Sequence, residues 1–479
     1  MIRTDLAWIA AAVNGRLVGT NRTVDSVSTD TRKLPKGCLF IALKGPNFDA
    51  HEFIAKAIND GASACIVERD LSAEEAQGAP YIVVKDTRYA LGLLGAAVKA
   101  DVAPKTIAIT GSSGKTTVKE MLAAILSRRG NVLATAGNFN NDIGVPLTLL
   151  RLEPQHEFAV IELGANHIGE IAYTTGLTAP DVAIINNVAP AHVEGFGSVH
   201  GVYRAKSEIF RGLGPNGLAM TPFHSEFAQG WAQQLTHVKH ETFGQTVSEH
   251  NATEGEPAQP TVRARNIQLN AHGCAEFDLE LTGDMAQQGH VVLSLPGLHN
   301  VDNALVAIRA AIAVGCALED CQQALANLTP VAGRLNVISV NDKLQLIDDS
   351  YNANVGSVKA AINMLAVYPG YRLLVLGDMG ELGSEAREYH AEVGQHALQA
   401  GIDQLFTLGV LSQSASEAFN GQGGRHFSTL ESLLTAVEQV INEHSAKQLV
   451  TVLVKGSRSA RMERVIEALQ QKEEGKHAC

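Results

Sequence analysis

Short apolar runs alternate with longer stretches of three-to-four spacing along most of this chain, a pattern that predicts strands followed by helices. The clearest pair is TIAIT (106–110), β-branched and apolar, followed by the segment 116–129. There Val118, Met121, Leu122, Ile125 and Leu126 mark one helical face, and Gly130 closes it. The alternation continues with strands at 158–163 and 182–186 and a helix containing Tyr203 to Phe210. Strand–helix order of this kind predicts a mostly parallel, doubly wound sheet. Residues 225–290 are more polar and Gln-rich, and CAEFDLEL and HVVLSL within this region read as antiparallel strands appended to that sheet.

Two further units flank it. Strands at 39–43, 65–67 and 81–84, with a helix around 54–60, make a small α/β unit, and the helix DTRYALGLLGAAVKA opens the larger one. After a helix from Asn300 to near Gly315, the stretch LTPVAG (328–333) reads as a linker and candidate hinge. Strands at 344–348, 372–376, 404–408 and 449–454 then form a third α/β unit. The expected domains are therefore 1–84, 85–330 and 331–479. The tail QQKEEGKHAC is expected to fray.

Composition narrows the class. A chain of 479 residues with 45% hydrophobic and 18% charged content is ordinary for a globular enzyme. A net charge of −12 without a basic tract argues against a nucleic-acid partner. Six cysteines scattered without C-x-x-C pairs argue against a zinc site or a disulfide framework, and Cys316 and Cys321 read as core thiols. No apolar run reaches membrane-spanning length, and Asp5 in an N-terminus without a basic start argues against a signal peptide. A cytoplasmic protein is expected, its N-terminal segment an amphipathic helix.

Between the first strand and helix lies GSSGKTT: Gly111, Ser112, Ser113, Gly114, Lys115, Thr116 and Thr117. The glycines let the backbone curl around an anion, the helix start offers N–H groups and a favourable dipole, Lys115 adds a cation, and the Thr116 hydroxyl can ligate Mg²⁺. The usual phosphate-loop spacing would place a glycine where Ile109 stands, so this is a shorter G-x-x-G-K-T-T form.

Other candidates are ambiguous alone. Glu162 closes a strand where parallel sheets present residues to ligands; it reads as a Mg²⁺ carboxylate or as a turn cap. His192, just past another strand, reads as a loop histidine or a ligand. Lys206 in YRAKSEIF reads as a solvated helix lysine, or as a desolvated amine that adds CO₂ to become a carbamate. Asn140 and Asn141 in GNFNNDIGVPLT belong to an Asn-rich turn, or bind substrate or the γ-phosphate. His299, Asn300 and Asn303 sit at a helix start, where capping explains one of them. Asp348 and Asp349 end a strand, and Lys455 and Arg458 lie in a turn that is either an anion grip or a solvated basic loop.

Taken together, TGSSGKTT, GNFNNDIG, ELGAN, NNVAPAH, AKSEIF, LHNVDNALVA, Gly333–Arg334 and DDSYNAN resemble the Mur ligases, the ATP-dependent amide-forming enzymes of peptidoglycan precursor synthesis, in order and over essentially the full chain. STDTR, DDSYNANVGS, GDMGELG and VKGSRS look like the member that adds D-alanyl-D-alanine to UDP-N-acetylmuramoyl tripeptide. The resemblance implies an α/β fold of three domains: a small N-terminal one holding the UDP end, a central P-loop ATPase-like one, and a C-terminal Rossmann-like one that binds the incoming dipeptide and closes over ATP.

It also implies roles. Lys115 and the loop hold ATP phosphates; Thr116 and Glu162 ligate one Mg²⁺; Glu162, His192 and carbamylated Lys206 serve a second. Asn303 contacts adenine, Arg334 and Asp349 close over the nucleotide, and Ser28, Thr29 and the Lys44–His51 loop hold the uridine diphosphate. The partners expected are small-molecule substrates, the UDP-muramoyl tripeptide and D-alanyl-D-alanine, taken up by a monomer. The rivals are a sibling amide ligase, such as a folate polyglutamylating enzyme, and an ATP-binding switch protein that makes no bond.

Overall fold

The computed structural model describes residues 1–191, 193–246, 259–283, 286–419 and 423–477. Three main sheets organise it. The central sheet has nine strands in the spatial order Gln287–Pro296, Cys274–Leu281, Val262–Leu269, Lys239–Gln245, Leu218–Pro222, Val182–Ile185, Lys105–Thr110, His156–Glu162 and Asn131–Ala134. The two pairings that involve Cys274–Leu281 are antiparallel and the others parallel, as the alternating segments near residue 280 predict.

Both faces of this sheet are covered, and residue alternation decides which core each side chain joins. Ala108, Ile161, Ala183 and Ile185 pack on one side with Leu91, Leu94 and Val98 of the helix Thr87–Val102. That core is continuous with Leu39, Ile41, Ile66 and Ile82 of the first unit. Ile107, Ile109, Val160 and Ile184 pack on the other side against Val118, Met121, Leu122 and Ile125 of the helix Lys115–Leu126 and against the helix His299–Ala313. Strand Lys105–Thr110 lies between Val182–Ile185 and His156–Glu162, with Glu162 in register with Ile109 and Ile185 with Thr110. Three strand ends thus meet at one edge.

The first unit has five strands, ordered Arg16–Val18, Tyr81–Val83, Ala64–Val67, Leu39–Ile41 and Val27–Ser28. The third has six: Asn336–Asn341, Leu344–Asp349, Val450–Lys455, Tyr371–Gly377, Gln404–Leu408 and Gly424–Phe427. Among the described residues no helix is long and apolar enough to cross a membrane. The helix Glu463–His477 runs into the tail, and Val465, Ile466 and Leu469 in its first part are buried at helical spacing.

Candidate functional site

The turn after Thr110 enters the helix Lys115–Leu126 through Gly114, whose φ of +76° L side chains rarely adopt. A Cβ there would collide with the Asn186 amide and stand 2.7 Å from Asn303 Oδ1, so only glycine fits. The loop is held from beneath by the neighbouring strand end. Asn187 Oδ1 accepts from the Ser113 N–H at 2.9 Å, and the Asn186 and Asn187 amides donate to the Ser113 carbonyl at 3.0 and 3.1 Å. The Ser112 hydroxyl donates to the Ala189 carbonyl and accepts from the Ala189 N–H, both at 2.9 Å. The first-turn N–H groups of the helix have no intrahelical acceptor and, with the dipole, favour an anion at this end.

Lys115, half-buried, donates to the Gly111 carbonyl at 2.7 Å. Burial lowers its amine pKa; Glu162 opposes that shift and Arg334 adds to it. Glu162 is 3% exposed; one oxygen accepts from the Thr116 hydroxyl at 3.0 Å and the other from the Asn140 amide at 2.9 Å. Asn141 spends its oxygen on the Gly144 N–H at 2.8 Å, starting a short helix, although it lines the same cavity.

Lys206 overturns its bland reading. It is not on a solvated face but 3% exposed, on the inner side of the helix Val199–Ser207 together with Val202 and Ala205. Burial and the nearby Lys115 cation hold its amine well below the ordinary lysine value, with Glu162 opposing. Two positions along, Glu208 accepts from the N–H groups of Gly169 (2.8 Å) and Ala172 (3.0 Å), which fixes the helix Glu170–Thr178 to this segment. His192 lies outside the described residues. Among those described, no three His, Cys, Asp or Glu side chains are clustered to hold a metal.

The third unit completes the site. Arg334 donates to the Thr116 hydroxyl at 3.0 Å and lies 4.4 Å over the Tyr351 ring, with Arg458 at 5.6 Å. Asn354 donates to the Ser112 carbonyl at 2.9 Å, a bond between residues 242 positions apart. Lys455 is 2% exposed, 2.5 Å from Asp349 and 2.9 Å from the Asn352 carbonyl, so it is not in a solvated turn; Arg458 is exposed and pairs with Glu463. Burial raises the Asp349 pKa while Lys455 holds it down. Burial and the Lys455 charge push His299 down to about 4.

The capping expectation for His299–Asn303 also fails. The helix cap is Leu298 without a side-chain bond, because Asn300 donates to the Pro296 carbonyl and Asn303 joins Asn300 to Asn186 (2.8 and 2.9 Å). Lys115, Thr116, Glu162, Lys206, Arg334 and Asp349 line one cavity of about 950 Å³, together with Asn303, Asn354 and Lys455. Ser28, Thr29 and Lys44 do not. Ser28 bonds the Asp30 backbone, and Lys44 borders a separate hollow of about 410 Å³ beside Asp49 and His51.

A phosphate loop at the edge of a parallel sheet, with a hydroxyl, a carboxylate and two lysines around it, defines a nucleotide-triphosphate-binding protein. The chain belongs to the Mur ligase family. Residues 23–113 match the Mur ligase catalytic domain, 109–311 the Mur ligase middle domain, and 333–458 the Mur ligase glutamate ligase domain. It is 48% identical over 472 residues to UDP-N-acetylmuramoyl-tripeptide–D-alanyl-D-alanine ligase of Escherichia coli (strain K12), covering 98% of this chain and 99% of that protein. The enzyme of the same name from Bacillus subtilis (strain 168) is 33% identical over 479 residues, with 98% and 99% covered. Among solved structures, MurF from Acinetobacter baumannii aligns with a TM-score of 0.89 at 37% identity over 98% of this chain and 99% of that one. MurF ligase from Thermotoga maritima in complex with ADP aligns at 0.80 and 27% identity over 95% and 99%.

Proposed function

We propose that this chain is an ATP-dependent ligase that joins D-alanyl-D-alanine to UDP-N-acetylmuramoyl tripeptide. One observation carries the reading: Lys115, Thr116, Glu162 and Lys206 converge at one end of a cavity that Arg334 and Asp349 of the third unit complete. A carboxylate is a poor electrophile, so its activation comes first. The tripeptide's terminal carboxylate attacks the γ-phosphorus of ATP, ADP leaves, and an acyl phosphate forms. The dipeptide amine then attacks the acyl carbon and loses a proton, and inorganic phosphate departs.

Lys115 and the loop N–H groups offset charge on the phosphates, a transfer governed by positioning and electrostatics. Arg334 and Asn354, reaching the loop from the third unit, keep water from the acyl phosphate. The site suits a hard cation, since a hydroxyl and a carboxylate oxygen lie 3.0 Å apart. Thr116 and Glu162 would hold one Mg²⁺, and Glu162, His192 and Lys206 a second; Mg²⁺ supplies further neutralisation of phosphate charge. The burial and depressed basicity of Lys206 support its carbamylation, in which the neutral amine adds CO₂, a C–N bond forms and a proton goes to solvent.

Residues 1–84 would hold the UDP end, through Ser28, Thr29 and Lys44; 85–330 would bind ATP; 331–479 would bind the incoming dipeptide, near Lys455 and Arg458. Asn140 and Asn141 would face the tripeptide carboxylate. A monomer is the proposed state, and the use of ATP supports a cytoplasmic setting. The net charge of −12 supports a reading without nucleic-acid partners. The test is ADP release against a panel of UDP-muramoyl peptides and amines. Rapid release is expected only with the tripeptide plus D-alanyl-D-alanine. Equal turnover with glutamate or another single amino acid overturns the assignment.

A further inference from the structure

The strand Asn131–Ala134 stops before its neighbour His156–Glu162 does, Ala134 opposite Val160 being their last pair in register. The Glu162 N–H therefore meets no strand carbonyl, and a bare buried N–H is costly. Thr135 fills the place. Its hydroxyl accepts from the Glu162 N–H at 3.0 Å, its own N–H donates to the Val160 carbonyl at 3.0 Å, and its carbonyl accepts from the Lys119 ammonium at 2.8 Å. Thr135 is 1% and Lys119 4% exposed, and neither lines the cavity. Lys119 also meets the Glu120 carboxylate at 2.6 Å, so its charge is spent before any ligand arrives. It stands three residues after Thr116 on the helix Lys115–Leu126, a spacing that puts the two side by side. A closed circuit results. Thr116 holds Glu162 by the carboxylate, and Lys119 holds it, through Thr135, by the backbone. Both ends of Glu162 are thus referred to the one helix whose first turn forms the phosphate site.

We propose that Thr135 and Lys119 are positioning residues for the Glu162 carboxylate, holding it beside the Thr116 hydroxyl where a divalent cation would bind against the nucleotide phosphates. The inference rests on the reading of Thr116 and Glu162 as cation ligands. A functional group of that kind works only when held to within about 0.5 Å by groups that are themselves locked. A threonine kept merely to close a sheet edge would need its hydroxyl and nothing more. Here its carbonyl is claimed as well, by a lysine that gives up the freedom of a long side chain to reach it from the phosphate helix. The second carboxylate oxygen is treated alike: the Asn140 amide donates to it at 2.9 Å, and the Asn140 carbonyl is itself fixed by the Gly164 N–H at 2.8 Å.

The experiment compares the full-length wild type with three variants. Thr135→Val keeps the shape and changes no charge, Thr135→Ser keeps the hydroxyl, and Lys119→Met keeps an unbranched stem. Mn²⁺ affinity is measured on the resting proteins at saturating ADP, from the electron paramagnetic resonance signal of free Mn²⁺. ADP affinity is measured separately with divalent cations chelated. Thr135→Val and Lys119→Met should each bind Mn²⁺ about tenfold or more weakly, the cost of losing an outer partner that orients a metal ligand. Thr135→Ser should keep the wild-type Mn²⁺ affinity, and cation-free ADP affinity should not move in either Thr135 variant. Turnover of Thr135→Val should fall, and raised Mg²⁺ should restore part of it. A lower melting temperature with unchanged Mn²⁺ affinity would make the pair merely structural and overturns the inference. So does a loss of Mn²⁺ no larger than the loss of cation-free ADP, the mark of a damaged phosphate loop. Should Thr135→Val fail to fold, Lys119→Met decides by the same comparison. Glu162→Gln is measured alongside: if it binds Mn²⁺ as the wild type does, the cation reading of Glu162 falls and the inference falls with it.

Discussion

Lys206→Met separates a buried amine from a surface one by a quantity that can be worked out beforehand. Methionine keeps an unbranched apolar stem in the space and removes only the ammonium. The wild-type amine sits 3% exposed and well below the ordinary value of 10.5. A base whose folded pKa is depressed binds fewer protons folded than unfolded at every pH between the two values. Stability therefore rises with pH across that window, and the full penalty stands below it. One proton corresponds to about 1.4 kcal/mol per pH unit. For a domain of this size that is roughly 3 to 6 °C of melting temperature per pH unit. The variant should thus melt above the wild type at pH 7, with the gap closing toward pH 10. The assay is thermal unfolding in CO₂-free buffers from pH 6 to pH 10. Added bicarbonate should raise the wild-type midpoint alone, because carbamate forms on the folded amine and acts as a ligand of the native state. Parallel melting profiles for the two proteins, with or without bicarbonate, would refute the reasoning.

Lys115→Ala should lower turnover at least about a hundredfold, as for other preorganised charge stabilisers, while unfolding temperature falls by no more than one lost hydrogen bond allows; normal turnover would make the loop structural. Gly114→Ala forces a side chain against Asn186 and Asn303 at a positive φ, so isothermal titration should find ADP affinity reduced at least about tenfold. Arg309→Ala strands Glu241, which Arg309 meets at 2.6 and 2.7 Å in the interior and Lys239 at 3.2 Å nearer the surface. Urea unfolding should register a loss of about 3 kcal/mol without a change in KM for ATP.

The strand–loop–helix at the phosphate site was legible because each part carries its own local signal: β-branched residues, glycines, a lysine, then helical spacing. Lys206 was not. Its helix has the polar look of a surface element, and only the packing of Val202, Ala205 and the segment bound by Glu208 turns the lysine inward. Lys455 read as a basic turn because its partner, Asp349, lies 106 residues away. Asn186 and Asn187 drew notice only as part of a motif, since their task is to carry a backbone 73 or more residues distant. Strands Asn336–Asn341 and Gly424–Phe427 escaped because each is half polar and sits on a sheet edge. Spacing reports what a residue does for its own element; it is silent on what it does for another.

The hydrogen bond from Asn354 to the Ser112 carbonyl has a consequence for control of the enzyme. It ties the third unit to the backbone of the phosphate loop itself, so the placement of that unit and the hold on the nucleotide form one equilibrium. Linkage makes such a dependence mutual. A small molecule wedged between the two units would loosen the nucleotide by the same factor by which the nucleotide resists the wedge, and its potency would fall as ATP rises although the two never touch.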